Sequence, residues 1–171
     1  MTGADESAGA TDEALVDDRI VEATAADLDV LVDQWAALIE HGRKHGLHIE
    51  ATSNRAIAQQ TLAAAIGDGL AFVAKEGGRI VGFCSLTLES GGFERDVVRG
   101  VVENVYVEST ARGAGLGSAL LAAGEQRLVD RGADTIAVET MVADDDVLEF
   151  YRDRGYRPQR LTLEKRVETN R

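Results

Sequence analysis

The sequence predicts an α/β (α+β) fold, a mixed and mostly antiparallel central sheet flanked by helices on both sides. The predicted element order is β-αα-βββ-α-β-α-β. Three observations carry this reading. Leu28, Leu31, Val32, Trp35, Leu38 and Ile39 recur at helical spacing near the start. The turn sequence Glu76-Gly77-Gly78 separates two apolar, strand-like runs. Further on, the strand-like Val97–Val107 enters a glycine-rich turn that opens an apolar helical stretch.

The elements follow in order. Residues 1–18 are rich in Gly, Ala, Ser, Thr, Asp and Glu without a sustained period, and are expected to form a flexible acidic tail. A single domain is expected from residue 19 to 171. Arg19–Ala23 reads as the first strand. Thr24 caps the first helix, with Asp27 completing a box-like pattern, and Gly42 and Gly46 close it. Ser53 starts a second helix whose apolar positions are Ile57, Leu62 and Ile66, ended by Gly67 and Gly69. Leu70–Lys75 and Arg79–Leu88 form the hairpin. Helical spacing returns from Leu116 through Leu128 to Gly132. A strand at Thr135–Thr140, a helix from about Asp144 to Arg154 stopped by Gly155, and an alternating last strand at Leu161–Val167 complete the chain.

Composition narrows the function classes. The 171 residues suffice for one packed domain, and 44% of them are apolar. No apolar run approaches the roughly 20 residues of a membrane span, and the polar, acidic N-terminus does not resemble a secretory signal. The single cysteine, Cys84, lies in an apolar run and reads as a small core residue. A reducing, cytoplasmic location is the default expectation. A net charge of -12 argues against binding nucleic acid through its phosphates. Lysine occurs only at positions 44, 75 and 165, an acidic, lysine-poor balance resembling proteins of salt-loving organisms. A competing reading has the acidity attract a cationic substrate. It is the weaker one, because high salt screens such attraction beyond about 3 Å.

The run Val101–Val107, Glu108–Ala111, then Arg112-Gly113-Ala114-Gly115-Leu116-Gly117-Ser118 carries the chemistry. A strand that turns through glycines into a helix presents unpaired backbone N–H groups in one direction. Together with the helix dipole, these make a phosphate site. Glycine lets the backbone approach closely and adopt positive φ, and Arg112 adds a fixed positive charge. A P-loop would require Lys and then Ser or Thr after the last glycine, whereas Ser118-Ala119 follows Gly117. A dinucleotide fingerprint starting at Gly113 would require glycine at Ser118.

The pattern that fits is Arg-x-x-Gly-x-Gly at Arg112, Gly115 and Gly117, directly after Val-Tyr-Val. Here the chain resembles the GNAT acyltransferase superfamily from Arg19 to its end. The second marker is Phe150-Tyr151-Arg-Asp-Arg-Gly155-Tyr156, similar to the family's Phe-Tyr-x-x-x-Gly-Phe/Tyr helix end. The resemblance implies a GNAT-like sheet and acetyl-coenzyme A as co-substrate. It implies that Val105, Tyr106 and Val107 flank the pantetheine arm, and that Arg112 to Ser118 hold the diphosphate. It also implies Tyr151 as the general acid. Glu103 is the candidate base, on the same strand face as Val105 and Val107 provided that no bulge intervenes. Where the family often has an asparagine, this chain has Asp144, Asp145 and Asp146, which read as helix-capping acids.

His41, His45 and His48 read as exposed polar residues, and no metal is expected. The implied activity is acetyl transfer to a primary amine on a small molecule or peptide, by direct attack in a ternary complex. A catalytically silent acetyl-coenzyme A sensor is the alternative, and a nucleotide-binding oxidoreductase a third reading. The amine is not specified, and a homodimer is left open.

Overall fold

The computed structural model describes residues 17–89 and 96–167. The first 16 residues of the expected tail, and most of the Ser90–Asp96 loop, therefore lie outside the described residues. Asp17 itself is held, because its carboxylate pairs with Arg19 at 2.7 Å.

β1 (Ile20–Glu22) leads into a single turn of 3-10 helix at Ala25–Asp27. Thr24 caps that turn as the sequence predicts, its N–H donating to Asp27 Oδ2 at 2.8 Å. α1 (Leu28–Arg43) and α2 (Ala51–Gly67) follow. α1 buries Leu31, Val32, Gln34 and Ile39. α2 departs from expectation: Ile57 is 61% exposed, and the buried face is Ala51, Ala58, Leu62 and Ala65. Small residues at these positions allow close helix packing, so the alanine stripe takes the inner face from the larger isoleucine.

β2 (Ala71–Glu76) and β3 (Arg79–Leu88) form the expected hairpin. Gly77 and Gly78 both adopt positive φ (56° and 78°), as the tight turn between right-twisted strands requires. β4 (Arg99–Val107), α3 (Leu116–Asp130), β5 (Thr135–Val138) and α4 (Asp145–Arg152) complete the order. The sheet runs β1-β2-β3-β4-β5, antiparallel except for the parallel β4–β5 pair. α1 and α2 cover one face of it. α3 covers the other, where Cys84 and Leu86 reach toward Gly124 and Leu120 toward Gly82. Leu116, Leu120, Leu121 and Leu128 of α3 are 0–1% exposed. Each such side chain contributes about 1.5–3 kcal/mol by leaving water.

The predicted last strand does not form. Leu161–Val167 has no strand pairing, and Leu161, Leu163 and Val167 are 64%, 84% and 76% exposed. Alternation states which face of a segment favours burial but supplies no partner, and β5 at the sheet edge offers only four residues. Among the described residues, no helix is long and apolar enough to cross a membrane.

Candidate functional site

The site begins where two strands part. β5 pairs with β4 from Arg99↔Thr135 to Val102↔Val138 and no further. Beyond Val102, no strand among the described residues lies on the β5 side of β4. Its peptide groups there are open to a ligand that pairs as a strand would.

A bulge lies at the same point. Leu86 pairs with Val102 but Ser85 with Asn104, so Glu103 is the extra residue. Val102 and Val105 pair with Leu86 and Cys84, which both face α3. The two residues between them break the alternation, and the condition attached to Glu103 is not met. It does not share the Val105–Val107 face by simple parity. Instead Glu103 stands at the fork, immediately past the last β4–β5 pair, as does Glu139 on the other arm. Burial raises its carboxyl above the ordinary 4.5, and repulsion from Glu139 and Glu89 adds to the shift.

Past Val107 the chain turns through Ser109–Ala111 into the glycines. Gly113 and Gly115 have φ of 83° and 78°, and Gly115 is the N-cap of α3. A Cβ at either glycine would meet nothing within 4 Å, so left-handed backbone, not crowding within the chain, requires glycine there. Among the described residues no side chain caps α3, so its first peptide N–H groups are left for a ligand or solvent. Arg112 Nε donates to the Val107 carbonyl at 3.0 Å, fixing the guanidinium beside the strand end.

These parts line one groove of about 420 Å³. Val105, Tyr106, Val107, Arg112, Gly113, Gly115, Leu116, Gly117, Ser118 and Tyr151 all border it. Of the other two candidates, Ala114 lies outside the lining and its carbonyl accepts from Arg19 Nη2 at 3.2 Å. Glu103 is also outside it.

α4 supplies the opposite wall. Tyr151 is 8% exposed and borders both this groove and a larger one of about 850 Å³ beside β5. Burial pushes its phenol above the ordinary value, Cys84 adds to this, and Arg154 opposes it. The phenol is therefore protonated at neutral pH. Arg154 was not singled out from the sequence. Its Nη2 donates to the Ser118 hydroxyl, and its guanidinium lies 3.8 Å from the centre of the Phe150 ring. The four-residue spacing between Phe150 and Arg154 was the available signal. Two arginines and a helix N-terminus, against one carboxylate at Asp146, thus give this groove an excess of positive charge in a chain of net charge -12.

Two further readings were tested by the geometry. Cys84 is fully buried and its thiol is pushed up to about 12, as expected of an inert core residue. Asp144 caps α4, its Oδ1 accepting from Val147 N at 3.3 Å.

A family model described as "Acetyltransferase (GNAT) family" matches residues 49–156. Solved structures share the fold over most of their length. A transcriptional regulator from Bacillus halodurans is 27% identical with a TM-score of 0.66, over 86% of this chain and 98% of that one. A GCN5-related N-acetyltransferase from Ralstonia eutropha is 20% identical with a TM-score of 0.69, over 86% and 97%. An aminoglycoside N-acetyltransferase in complex with CoA is 15% identical with a TM-score of 0.64, over 88% and 94%. No curated protein sequence matches the chain.

Proposed function

The chain belongs to the acetyltransferase (GNAT) family, and from that premise we propose that it moves an acetyl group from acetyl-coenzyme A to a primary amine. The observation that carries the proposal is the single groove joining the open edge of β4 to the uncapped start of α3. The CoA complex of the aminoglycoside N-acetyltransferase, which has the same fold, supports the choice of co-substrate.

In this account the open-edge peptide groups of Val105–Val107, apart from the Val107 carbonyl that accepts from Arg112, pair with the pantetheine arm. The N–H groups of Gly113–Ser118, with Arg112 and Arg154, bind the diphosphate. Acetyl-coenzyme A supplies an acetyl group activated as a thioester. Glu103 accepts a proton from the incoming amine, directly or through water, and its raised pKa makes it a better base near neutrality. The neutral nitrogen then forms its bond to the acetyl carbon as the carbon–sulfur bond breaks, and the acylated nitrogen releases its remaining extra proton to solvent. Peptide N–H groups at the fork stabilise the charge developing on the carbonyl oxygen. Tyr151 gives its proton to the departing sulfur and recovers one from solvent. Holding both reactants in one complex accounts for much of the acceleration.

One observation favours a second reading, a cofactor-binding sensor without turnover: the Bacillus halodurans protein bears the name of a transcriptional regulator. An acetylation screen across amine classes, read by release of free thiol, separates the two. Turnover on any amine class supports the enzyme. Tight acetyl-coenzyme A binding without thiol release on every class supports the sensor.

A further inference from the structure

Helix α1 ends at Arg43, which leaves His41 in its last turn and His45 in the turn that follows. Near this pair in the sequence, the close carboxylates are Glu40 and Glu50. The fold brings another from 103 residues away in Asp144, at the start of α4. Asp144 Oδ2 is 2.8 Å from His41 Nε2 and 3.6 Å from His45 Nε2. The three donor atoms all lie within 4.8 Å of one another.

Hydrogen bonds outside the cluster determine which atoms face inward. His45 Nδ1 is 3.2 Å from the Ala143 carbonyl, which can only accept, so that nitrogen carries the proton. The ring's other nitrogen, Nε2, faces the Asp144 carboxylate. A backbone carbonyl that fixes the distal nitrogen of a histidine is also the usual support of a metal ligand. Asp144 divides its work in the same way. Oδ1 caps α4, and Oδ2 faces the histidines. Its side chain is only 10% exposed.

We propose that His41, His45 and Asp144 form a binding site for a divalent zinc-like ion that ties the end of α1 to the start of α4. Two imidazoles and one carboxylate suit Zn²⁺ better than Mg²⁺ or Ca²⁺, which take oxygen ligands. Zinc bonds of about 2.0–2.1 Å in tetrahedral geometry place neighbouring donors about 3.3 Å apart. The observed separations bracket that spacing, so small side-chain rotations close the site. Three protein ligands leave a fourth position for water or a ligand group. His41 also borders the groove described above, as do Asp146 and Val147 just beyond Asp144. A bound ion would therefore fix the wall of the groove where α1 meets α4. This inference does not depend on the acetyl-transfer reading.

The test is a zinc titration of chelator-treated, tag-free protein by calorimetry and thermal unfolding, with Co²⁺ as a spectroscopic substitute. One equivalent should bind, raise Tm, and with Co²⁺ give the visible absorption of a four-coordinate ion. His45→Ala and Asp144→Asn should each weaken zinc binding about 10- to 100-fold. Asparagine retains the helix cap, so the metal-free Tm of Asp144→Asn shows whether that variant folds. His48→Ala, beside Glu164 and outside the cluster, should bind as the parent does. The absence of equimolar binding would overturn the proposal and leave a His–Asp ion pair. Binding that survives both His45→Ala and Asp144→Asn would also overturn it.

Discussion

The Arg154 guanidinium carbon lies 3.8 Å from the centre of the Phe150 ring, while its Nη2 reaches the Ser118 hydroxyl near the start of α3. Phe150 in turn lies within ordinary contact of the space beside Gly117. One side chain thus ties α4 to the turn where a diphosphate would bind and supplies positive charge there. Arg154→Ala should weaken coenzyme A binding by about 1.5 kcal/mol or more, roughly tenfold, as expected for a lost charge-assisted hydrogen bond. Calorimetry measures this directly, and unchanged affinity would remove Arg154 from the site.

Gly115 illustrates a conformational requirement without a steric one. Its φ is 78°, yet an added Cβ would meet nothing within 4 Å. Gly115→Ala should therefore destabilise by about 1–2 kcal/mol, seen as a lower denaturant midpoint. Gly115→Asn should cost less, because asparagine tolerates left-handed backbone. Equal losses for both would indicate an unrecognised clash.

Glu103 is held at the fork with its carboxyl raised by burial and by Glu139 and Glu89. A raised carboxylate pKa means that the folded state prefers the neutral form. That contribution is complete below the ordinary value of 4.5 and is lost as pH rises through the folded value. Glu103→Gln should therefore raise Tm at neutral pH, and the gain should vanish below that ordinary value. If Glu103 is the base, the same substitution should also lower kcat and abolish the acid limb of the pH–rate profile. A variant that keeps that limb would assign the base elsewhere.

Tyr151 should act on chemistry more than on binding. Tyr151→Phe removes the hydroxyl and leaves the ring packed against Phe150 and Tyr156, whose centres lie 5.1 and 5.4 Å away. Turnover should fall about 100-fold or more, with coenzyme A affinity and Tm close to the parent. Unchanged turnover would exclude Tyr151 from the mechanism.

Much of the fold was legible because period and punctuation agreed. β3 runs from Arg79 to Leu88, as the sequence predicts, and the glycines at 77 and 78 turn as their identities require. Other features were not legible, each for a physical reason. The exposure of Ile57 depends on which residues of α2 lie against the rest of the fold, which a single helix does not encode. The bulge at Glu103 depends on pairing with β3, and alternation along one strand cannot reveal an inserted residue. The unpaired Leu161–Val167 segment has the pattern of a strand without an assigned neighbour. The glycine turn before α3 was legible because its glycines and arginine are contiguous. The meeting of Asp144 with His41 is a tertiary contact that no spacing rule reports.

The central claim is that the open edge of β4 and the start of α3 together hold one ligand. Crystallographic analysis of the protein with acetyl-coenzyme A tests it most directly. The account predicts the diphosphate within hydrogen-bond distance of the N–H groups of Gly113–Ser118, with the pantetheine arm alongside Val105–Val107. A diphosphate bound elsewhere, or no ligand in this groove at saturating concentration, would contradict it.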